Sequence, residues 1–166
     1  QPTSILITGA SSGIGAALAL VYAGPNVALF LSGRDQNRLS EIALACREKG
    51  AEVSEQAINI TDQSAMAEWI LEADSQMPLD LVIANAGISG GSDPQNEVIS
   101  RQIFATNVDG VLNTVLPIIP RMISRKRGQL ALMSSLAEFR GLPGAPAYSA
   151  SKAAVRSYGE ALRGSL

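Results

Sequence analysis

The residue types best suited to chemistry lie near the end of the chain, where Tyr148 and Lys152 stand four positions apart. On a helix, this spacing places both side chains on one face. A lysine ammonium beside a phenol favours the phenolate, so such a pair can move a proton near neutral pH. The same spacing also fits an ordinary contact on a solvated helix face, so the pair alone does not establish a reaction.

Residue types that the chain lacks narrow the chemistry. The 166 residues include no histidine, which excludes imidazole-based zinc sites and Ser-His-Asp hydrolases, and we expect no metal site. The single cysteine, Cys46, cannot form a disulfide within the chain, which predicts a reducing, cytoplasmic location. Its apolar helical surroundings predict a core residue rather than a nucleophile.

Charge and hydropathy argue against nucleic-acid and membrane partners. The formal net charge of −2 implies no basic face. The densest basic run, at 125–127, predicts a solvated helix C-terminus. The longest apolar region, at 108–123, is interrupted by Asp109, Pro117 and Pro120, which argues against a transmembrane helix.

The elements that would position these residues alternate short apolar runs with helical patterns. Strands are predicted at 5–8, 27–31, 53–58, 79–84 and 130–133. Helices are predicted at 13–22, from a cap at Asp35 to a stop at Gly50, from a cap at Thr61 or Asp62 through Ile70, at 104–124, and from 147 or 148 onward. Strands that are apolar throughout and separated by helices predict a parallel sheet covered on both faces. We therefore expect one α/β domain over residues 1–166, with a doubly wound, Rossmann-type sheet that binds ligands beyond the carboxyl ends of its strands.

A glycine-rich turn joins the first predicted strand to the first predicted helix. Gly9 permits a tight turn, Gly13 keeps side chains away from an approaching pyrophosphate, and Gly15 allows close helix–strand packing. The free amides of the helix N-terminus and two serine hydroxyls favour phosphates. A purely structural turn is the alternative, but the strand-turn-helix context favours a nucleotide site. Its predicted residues are Gly9, Ser11, Ser12, Gly13, Ile14 and Gly15.

The end of the second predicted strand bears on the choice of cofactor. An acidic residue there would hold the ribose 2′-hydroxyl of NAD. Gly33 occupies that position, and it is followed by Arg34, which can pair bidentately with a 2′-phosphate. We therefore expect NADP(H) rather than NAD(H). Asp35 is the residue that argues for NAD(H), although we prefer its alternative role as a helix N-cap.

Further polar residues close the fourth and fifth predicted strands, at Asn85-Ala86-Gly87 and Ser134-Ser135. With the glycine turn, Asn107 and Tyr148-x-x-x-Lys152 in this order, the chain resembles the short-chain dehydrogenase/reductase family over essentially its whole length. Ser135 lies thirteen residues before Tyr148, as in that family. The resemblance implies an oxidoreductase that transfers a hydride between NADP(H) and a carbonyl or secondary alcohol. A dinucleotide-binding module without turnover, acting as a sensor or scaffold, is the alternative.

The resemblance also implies a role for each residue of the reaction centre. Tyr148 would be the general acid in carbonyl reduction and the base in alcohol oxidation. Lys152 would bind the nicotinamide ribose and assist Tyr148. Ser135 would donate to the substrate oxygen, and Asn107 would hold a water that links Lys152 to solvent as a proton relay.

Other residues would contact the cofactor. Asn85, Ala86 and Gly87 would border the adenosine ribose and steady the sheet. Asn59 and Ile60 stand where the family usually has Asp followed by an aliphatic residue, a pair that contacts adenine. Asn59 departs from that pattern, although its amide could still bond the adenine amino group. Specificity is expected in residues 136–147, which single out no substrate class.

The ends of the chain lead to two expectations, and the resemblance adds one about assembly. No leader precedes the first strand and no initiator Met is present, which predicts a processed or trimmed product. Family members continue with two more strands, a Pro-Gly turn and a helical substrate lid. Because the last helical pattern has no stop signal, we expect a C-terminally incomplete chain; a naturally truncated product is the alternative. The resemblance implies a homodimer or homotetramer formed through the two long helices.

Overall fold

The computed structural model describes residues 1–90 and 95–166, and its five strands form one parallel sheet in the order β3-β2-β1-β4-β5. The strands are β1 (Ser4–Thr8), β2 (Ala28–Gly33), β3 (Glu52–Ala57), β4 (Leu81–Ala84) and β5 (Gln129–Leu132). The chain moves outward from β1 to β3 and then resumes at β4 on the other side of β1. The predicted doubly wound α/β sheet is confirmed, and its switch point lies between β1 and β4, where such sheets bind ligands.

Helices cover both faces of the sheet and enclose a separate core on each. They are α1 (Gly13–Tyr22), α2 (Gln36–Glu48), α3 (Gln63–Gln76), α4 (Glu97–Phe104), α5 (Gly110–Val115), α6 (Ile119–Arg125) and α7 (Pro146–Ser165). Leu6 of β1 packs in one core with Trp69, while its neighbours Ile5 and Ile7 pack in the other. Cys46 lies in this second core and is fully buried, as predicted, and burial raises the pKa of its thiol.

Side-chain caps fix where α2 and α3 begin. The carboxylate of Asp35 accepts from the Arg38 amide at 3.1 Å and starts α2. Asp62, rather than Thr61, caps α3 by accepting from the Ala65 amide at 3.0 Å. Since each cap satisfies an amide that the helix leaves unpaired, these residues set the register of the helices that follow strands β2 and β3.

The prediction of one continuous helix at 104–124 is wrong, because helical structure begins earlier and is interrupted twice. Helical structure begins at Glu97, because Asn96 caps α4 by accepting from the Ile99 amide at 3.0 Å. A π-helical turn, Ala105–Asp109, separates α4 from α5, and a further turn that contains Pro117 separates α5 from α6. The segment Glu97–Arg125 has the length and composition of a membrane span despite its prolines, but α5 packs on β4 and α3 as a core helix does.

Two expectations about polarity are also corrected, the second only in part. The strand predicted at 53–58 is not apolar throughout, because β3 lies at the sheet edge with most of its residues exposed. The basic run at 125–127 lies at the C-terminal end of α6 with its last two residues exposed, as predicted, but Arg125 is half-buried and paired. Arg125 and Arg121 donate to the buried carboxylate of Asp74 at 2.7 and 3.2 Å. Burial by itself would raise the pKa of Asp74, but these bonds and one from the Leu79 amide outweigh it and lower that pKa.

Candidate active site

A crevice of about 920 Å³ opens where the carboxyl ends of the strands meet the first turn of α7. Most of the residues predicted for the site line it. They are Gly9, Ser11, Ser12, Gly13, Ile14, Arg34, Asn59, Ile60, Asn85, Ala86, Gly87, Tyr148 and Lys152. Three predicted residues, Gly15, Asn107 and Ser135, are not among the described residues that line the crevice. The topology therefore brings together residues that are far apart in sequence, as the switch-point rule requires.

Two glycines with positive φ shape the turn between β1 and α1. At Gly9 (φ +69°), an added Cβ would lie 2.8 Å from the Cα of Ala86, so a side chain would push the two strand ends apart. At Gly13 (φ +54°), an added Cβ would meet open space, so glycine is needed there for the backbone conformation. Gly15 is buried against the Gly9 carbonyl, which confirms the close packing predicted for it. The turn thus presents the first amides of α1 to the crevice, an arrangement that suits phosphate oxygens.

Asn85 fastens this turn to the end of β4. Its Nδ2 donates to the Thr8 carbonyl at 3.0 Å. The Thr8 hydroxyl in turn accepts from the backbone amides of Asn85 and Ala86 at 3.1 and 3.2 Å. The Asn85 side chain is therefore engaged in holding β1 and β4 in place, which agrees with its predicted part in steadying the sheet.

Two arginines that follow β2 in the chain lie on one side of the crevice. Gly33 has no room for a side chain, because an added Cβ would lie 2.8 Å from Ser11 Oγ. Arg34 is exposed and lines the crevice, as does Arg38, which lies in the first turn of α2. Asp35 caps α2 and lies 3.4 Å from Arg38 Nε, so its predicted role as an N-cap is confirmed. Arg38 was not predicted, although its place in the first turn of the helix that Asp35 caps was the available signal.

Asn59 and Ile60 follow β3 at the same edge of the crevice. The Oδ1 of Asn59 accepts from the Thr61 amide at 3.2 Å, which leaves its Nδ2 as the donor group of that side chain. Ile60 is buried, and its carbonyl accepts from Asn113 Nδ2 at 3.0 Å. An apolar wall beside an amide donor is suited to a nucleotide base.

Asn107 lies in the π-helical turn and is fully buried. Its Oδ1 accepts from the Ile88 amide at 2.8 Å, and its Nδ2 donates to the Ile88 carbonyl at 2.9 Å and to Ser151 Oγ at 3.0 Å. An added Cβ at Gly87 would lie 3.2 Å from Asn107 Oδ1 and 3.4 Å from Lys152 Nζ, so both atoms border the same point. A π-helical turn inside an α-helix is common at functional sites, and here it brings Asn107 next to Lys152.

Tyr148 and Lys152 share the face of α7 that borders the crevice, as their spacing predicts. The ammonium of Lys152 lies 5.9 Å from the centre of the Tyr148 ring. Lys152 is only 4% exposed, and its Nζ donates to the Met133 carbonyl at 2.8 Å. Burial lowers the pKa of Lys152 because the charged form loses hydration. An ammonium is therefore held beside a half-buried phenol.

The two serines after β5 have different surroundings. Ser134 lines the crevice, and its Oγ donates to the carboxylate of Glu138 and lies 2.8 Å from the Lys152 carbonyl. Ser135 is the N-cap of a short 3₁₀ turn, Leu136–Glu138, and its Oγ accepts from the Ala137 amide at 3.2 Å. Because that bond uses the oxygen as an acceptor, the hydroxyl proton of Ser135 is still available as a donor.

Comparisons with known proteins agree with this geometry. The family model described as short chain dehydrogenase matches residues 3–166. An uncharacterized oxidoreductase of Myxococcus xanthus is 42% identical over 163 residues, which are 95% of this chain and 64% of that protein. The chain thus spans less than two thirds of the length of this relative.

Solved structures share the same fold. A short chain dehydrogenase/reductase from Burkholderia phymatum in complex with NAD superposes with a TM-score of 0.92 at 27% identity, covering 99% of this chain and 60% of that one. NAD⁺-bound xylitol dehydrogenase superposes with a TM-score of 0.89 at 26% identity, covering 94% of this chain and 62% of that one. With its parallel sheet, its glycine turn and a family match over almost every residue, the chain belongs to the short-chain dehydrogenase/reductase family.

Proposed function

We propose that this protein transfers a hydride between NADP(H) and a carbonyl or secondary alcohol, with Tyr148 as its general acid and base. The observation that carries the proposal is the buried Lys152 ammonium beside Tyr148, on the crevice that the glycine turn also lines. Membership of the family supports a redox function that depends on a dinucleotide. The NAD in two similar structures supports a nicotinamide cofactor and leaves the preference between NAD(H) and NADP(H) to be argued from the residues.

The shape of the crevice fits a dinucleotide. At one end, the main chain of Gly9, Gly13 and Ile14 would hold the pyrophosphate, because these residues line the crevice at the start of α1 and no atom lies near the place of a Cβ at Gly13. Asn59 and Ile60 would border the adenine, and Ala86 would border its ribose. At the other end, the cofactor would reach Tyr148 and Lys152, whose ammonium would bind the nicotinamide ribose.

The preference for NADP(H) is supported by charges at the end of β2. Arg34 and Arg38 bring two guanidinium groups to the crevice, where a ribose 2′-phosphate would pair with them. The one nearby carboxylate described there, Asp35, is engaged by the Arg38 amide and guanidinium. It is therefore poorly placed to bind a ribose hydroxyl, the contact that favours NAD(H).

The protein residues would handle the proton and the charge on the substrate oxygen. The nicotinamide, when bound, supplies or accepts the hydride. In reduction, the Tyr148 hydroxyl gives its proton to the carbonyl oxygen as that oxygen becomes an alcohol. The hydroxyl of Ser135 donates to the same oxygen while charge develops on it, and Lys152 stabilises the phenolate that remains. In oxidation, the Tyr148 phenolate takes the alcohol proton.

Proton return to Tyr148 would use the space beside Gly87. Asn107 Oδ1 and Lys152 Nζ both border that space, and Oδ1 has a second lone pair after accepting from Ile88. A water there would bond both atoms and relay a proton from solvent to Tyr148 through Lys152.

Turnover by the full natural protein tests the proposal. Oxidation of NADPH is followed by absorbance with a panel of aldehydes and ketones, and the same panel is repeated with NADH. Tyr148→Phe is expected to lower kcat by about 10²- to 10⁴-fold, the usual contribution of a positioned acid. Tyr158→Phe is the matched control, because Tyr158 is on the same helix but packs in a core cluster, and it is expected to leave kcat unchanged.

The outcomes separate the alternatives. An unchanged kcat for Tyr148→Phe contradicts the role of the phenol. Tight NADPH binding without turnover of any substrate favours a binding module that acts as a sensor or scaffold.

Arg34→Ala is expected to weaken NADPH binding about tenfold, from the loss of a charge-assisted bond, and to leave NADH binding unchanged. An equal loss for both cofactors contradicts the NADP(H) preference.

We also propose a homodimer or homotetramer in the cytoplasm. Large apolar side chains are exposed along the segment that ends with α6, namely Phe104, Leu116 and Ile123, and a second subunit would cover them. Light scattering during size-exclusion chromatography measures the assembly directly, and a monomer at micromolar concentration contradicts the proposed oligomer.

The cytoplasmic location is supported by Cys46, which is a free, buried thiol and suits a reducing compartment.

A further inference from the structure

The short turn Leu136–Glu138 sets the position of Ser135. Ser135 is the N-cap of this turn, so its hydroxyl moves with the turn. The turn packs closely against α7, the helix that carries Tyr148. Whatever holds the turn to α7 therefore also sets the separation between Ser135 and Tyr148.

Glu138, the last residue of the turn, makes polar contacts that hold the turn in place against α7 and the end of β5. Its side chain is 10% exposed, and its carboxylate accepts from the hydroxyl of Ser134. That hydroxyl also lies 2.8 Å from the Lys152 carbonyl. On the other side, Glu138 Oε1 lies 3.7 Å from Arg156 Nε. A largely buried carboxylate thus joins the turn to α7 directly through Arg156, and indirectly through Ser134, whose hydroxyl also lies against the Lys152 carbonyl.

Arg156 lies on the same face of α7 as the proposed reacting pair. It follows Lys152 by four residues and Tyr148 by eight, so the three side chains form one stripe along the helix. The Arg156 guanidinium lies over the ring of Phe139, 4.4 Å from its centre, and it pairs with Glu160 at 2.7 Å. The helix face that carries Tyr148 therefore also contacts Glu138 and Phe139, through Arg156.

We propose that Glu138 is a positioning residue that, together with Arg156, holds Ser135 in register with Tyr148. The inference rests on the proposed function, since Ser135 and Tyr148 act on one substrate oxygen. Glu138 does not line the crevice, so its effect is on alignment and not on cofactor binding. A displacement of about 1 Å in such an alignment costs on the order of a hundredfold in rate.

Three variants of the full natural protein test the proposal. Glu138→Ala removes both contacts and is expected to lower kcat by about tenfold to a hundredfold, with the Kd for NADPH and the substrate KM unchanged within about twofold. Glu138→Gln keeps the acceptor for Ser134 and is expected to restore most of kcat. Glu160→Gln is the matched control, because it removes the exposed partner of Arg156 and is expected to leave every parameter unchanged.

Hydrogen exchange at the Ala137 amide supplies a readout that does not depend on turnover. That amide donates to Ser135 Oγ and is expected to exchange faster in Glu138→Ala than in the wild type, with Glu138→Gln between them. Equal exchange in all three proteins overturns the proposal, as does a Glu138→Ala variant that keeps its kcat or that loses NADPH affinity in parallel with kcat. A wild type that binds NADPH without turnover overturns the proposed function, and it removes the catalytic purpose of the contact even where exchange shows that Glu138 anchors the turn.

Discussion

The crevice has two ends that are built in different ways. The cofactor end consists of the glycine turn and residues 85–87, and the reaction end consists of Ser134, Tyr148 and Lys152, with Ser135 next to Ser134 in the chain. Main-chain atoms form the cofactor end, and at Gly9 the space left for a side chain is smaller than a methyl group requires. Side chains from α7 and from the loop after β5 form the reaction end, and other side chains hold them in place. Substitutions at the first end should therefore disturb the fold and cofactor binding, whereas those at the second should remove chemistry from a folded protein.

Ser135→Ala is expected to have the largest effect in this comparison. It removes one donor to the substrate oxygen, and loss of such a donor lowers kcat by about 10²- to 10³-fold. The Kd for NADPH and the free energy of unfolding should stay close to those of the wild type, because Ser135 does not line the crevice and its bond to the Ala137 amide is partly exposed. Steady-state kinetics, NADPH titration and urea denaturation measure the three quantities.

Its neighbour Ser134 provides the control. Ser134 lines the crevice but is engaged with the Lys152 carbonyl and Glu138, so Ser134→Ala is expected to lower kcat by about tenfold, through alignment alone. A larger loss for Ser134→Ala than for Ser135→Ala would assign the donor to Ser134 and contradict the role taken from the family resemblance.

Gly9→Ala is expected to act on both the fold and cofactor binding. The added Cβ lies 2.8 Å from the Ala86 Cα, which is main chain and cannot rotate away, and φ is +69°. Strain of this kind costs on the order of 1–3 kcal/mol in the free energy of unfolding. The Kd for NADPH should rise by about tenfold, because the turn must move to relieve the contact.

Gly144→Ala is the matched control for that variant. Gly144 lies in the loop before α7, and an added Cβ there meets no atom within 4 Å, so both quantities should stay unchanged. If Gly9→Ala bound NADPH as tightly as the wild type, the cofactor end would be more adaptable than its geometry indicates.

The same contrast explains what the sequence could and could not predict. The glycine turn was predicted correctly because its requirements are local, as Gly13 shows with its positive φ and open surroundings. The caps at Asp35 and Asp62 follow from local rules as well. The contacts of Glu138 could not be predicted, because they depend on how the loop after β5 packs against Arg156, which lies eighteen residues later in the chain. The π-helical turn at Asn107 likewise depends on tertiary contacts with Ile88 and not on helix propensity.

The smallest expected effect is on the pH dependence of stability, and it arises at the reaction end. Burial lowers the pKa of Lys152 below its ordinary value near 10.5, so below the folded-state pKa the charged group is present in both states and its burial opposes folding. As the pH rises from the folded-state pKa towards 10.5, the folded chain releases this proton before the unfolded chain does. The contribution of Lys152 to the free energy of unfolding therefore increases with pH in that window.

Lys152→Met is expected to remove this contribution. Since methionine fills similar space without a charge, the variant should be more stable than the wild type at pH 7, and the difference should shrink as the pH approaches 10.5. Urea denaturation at intervals from pH 7 to 10.5 measures it, with Lys126→Met as the control at an exposed lysine. A stability difference that stays constant across this range would mean that the Lys152 ammonium is as well solvated as an exposed one. The reaction end would then not hold a buried charge beside Tyr148 at the expense of stability, and the contrast with the cofactor end would lose its electrostatic basis.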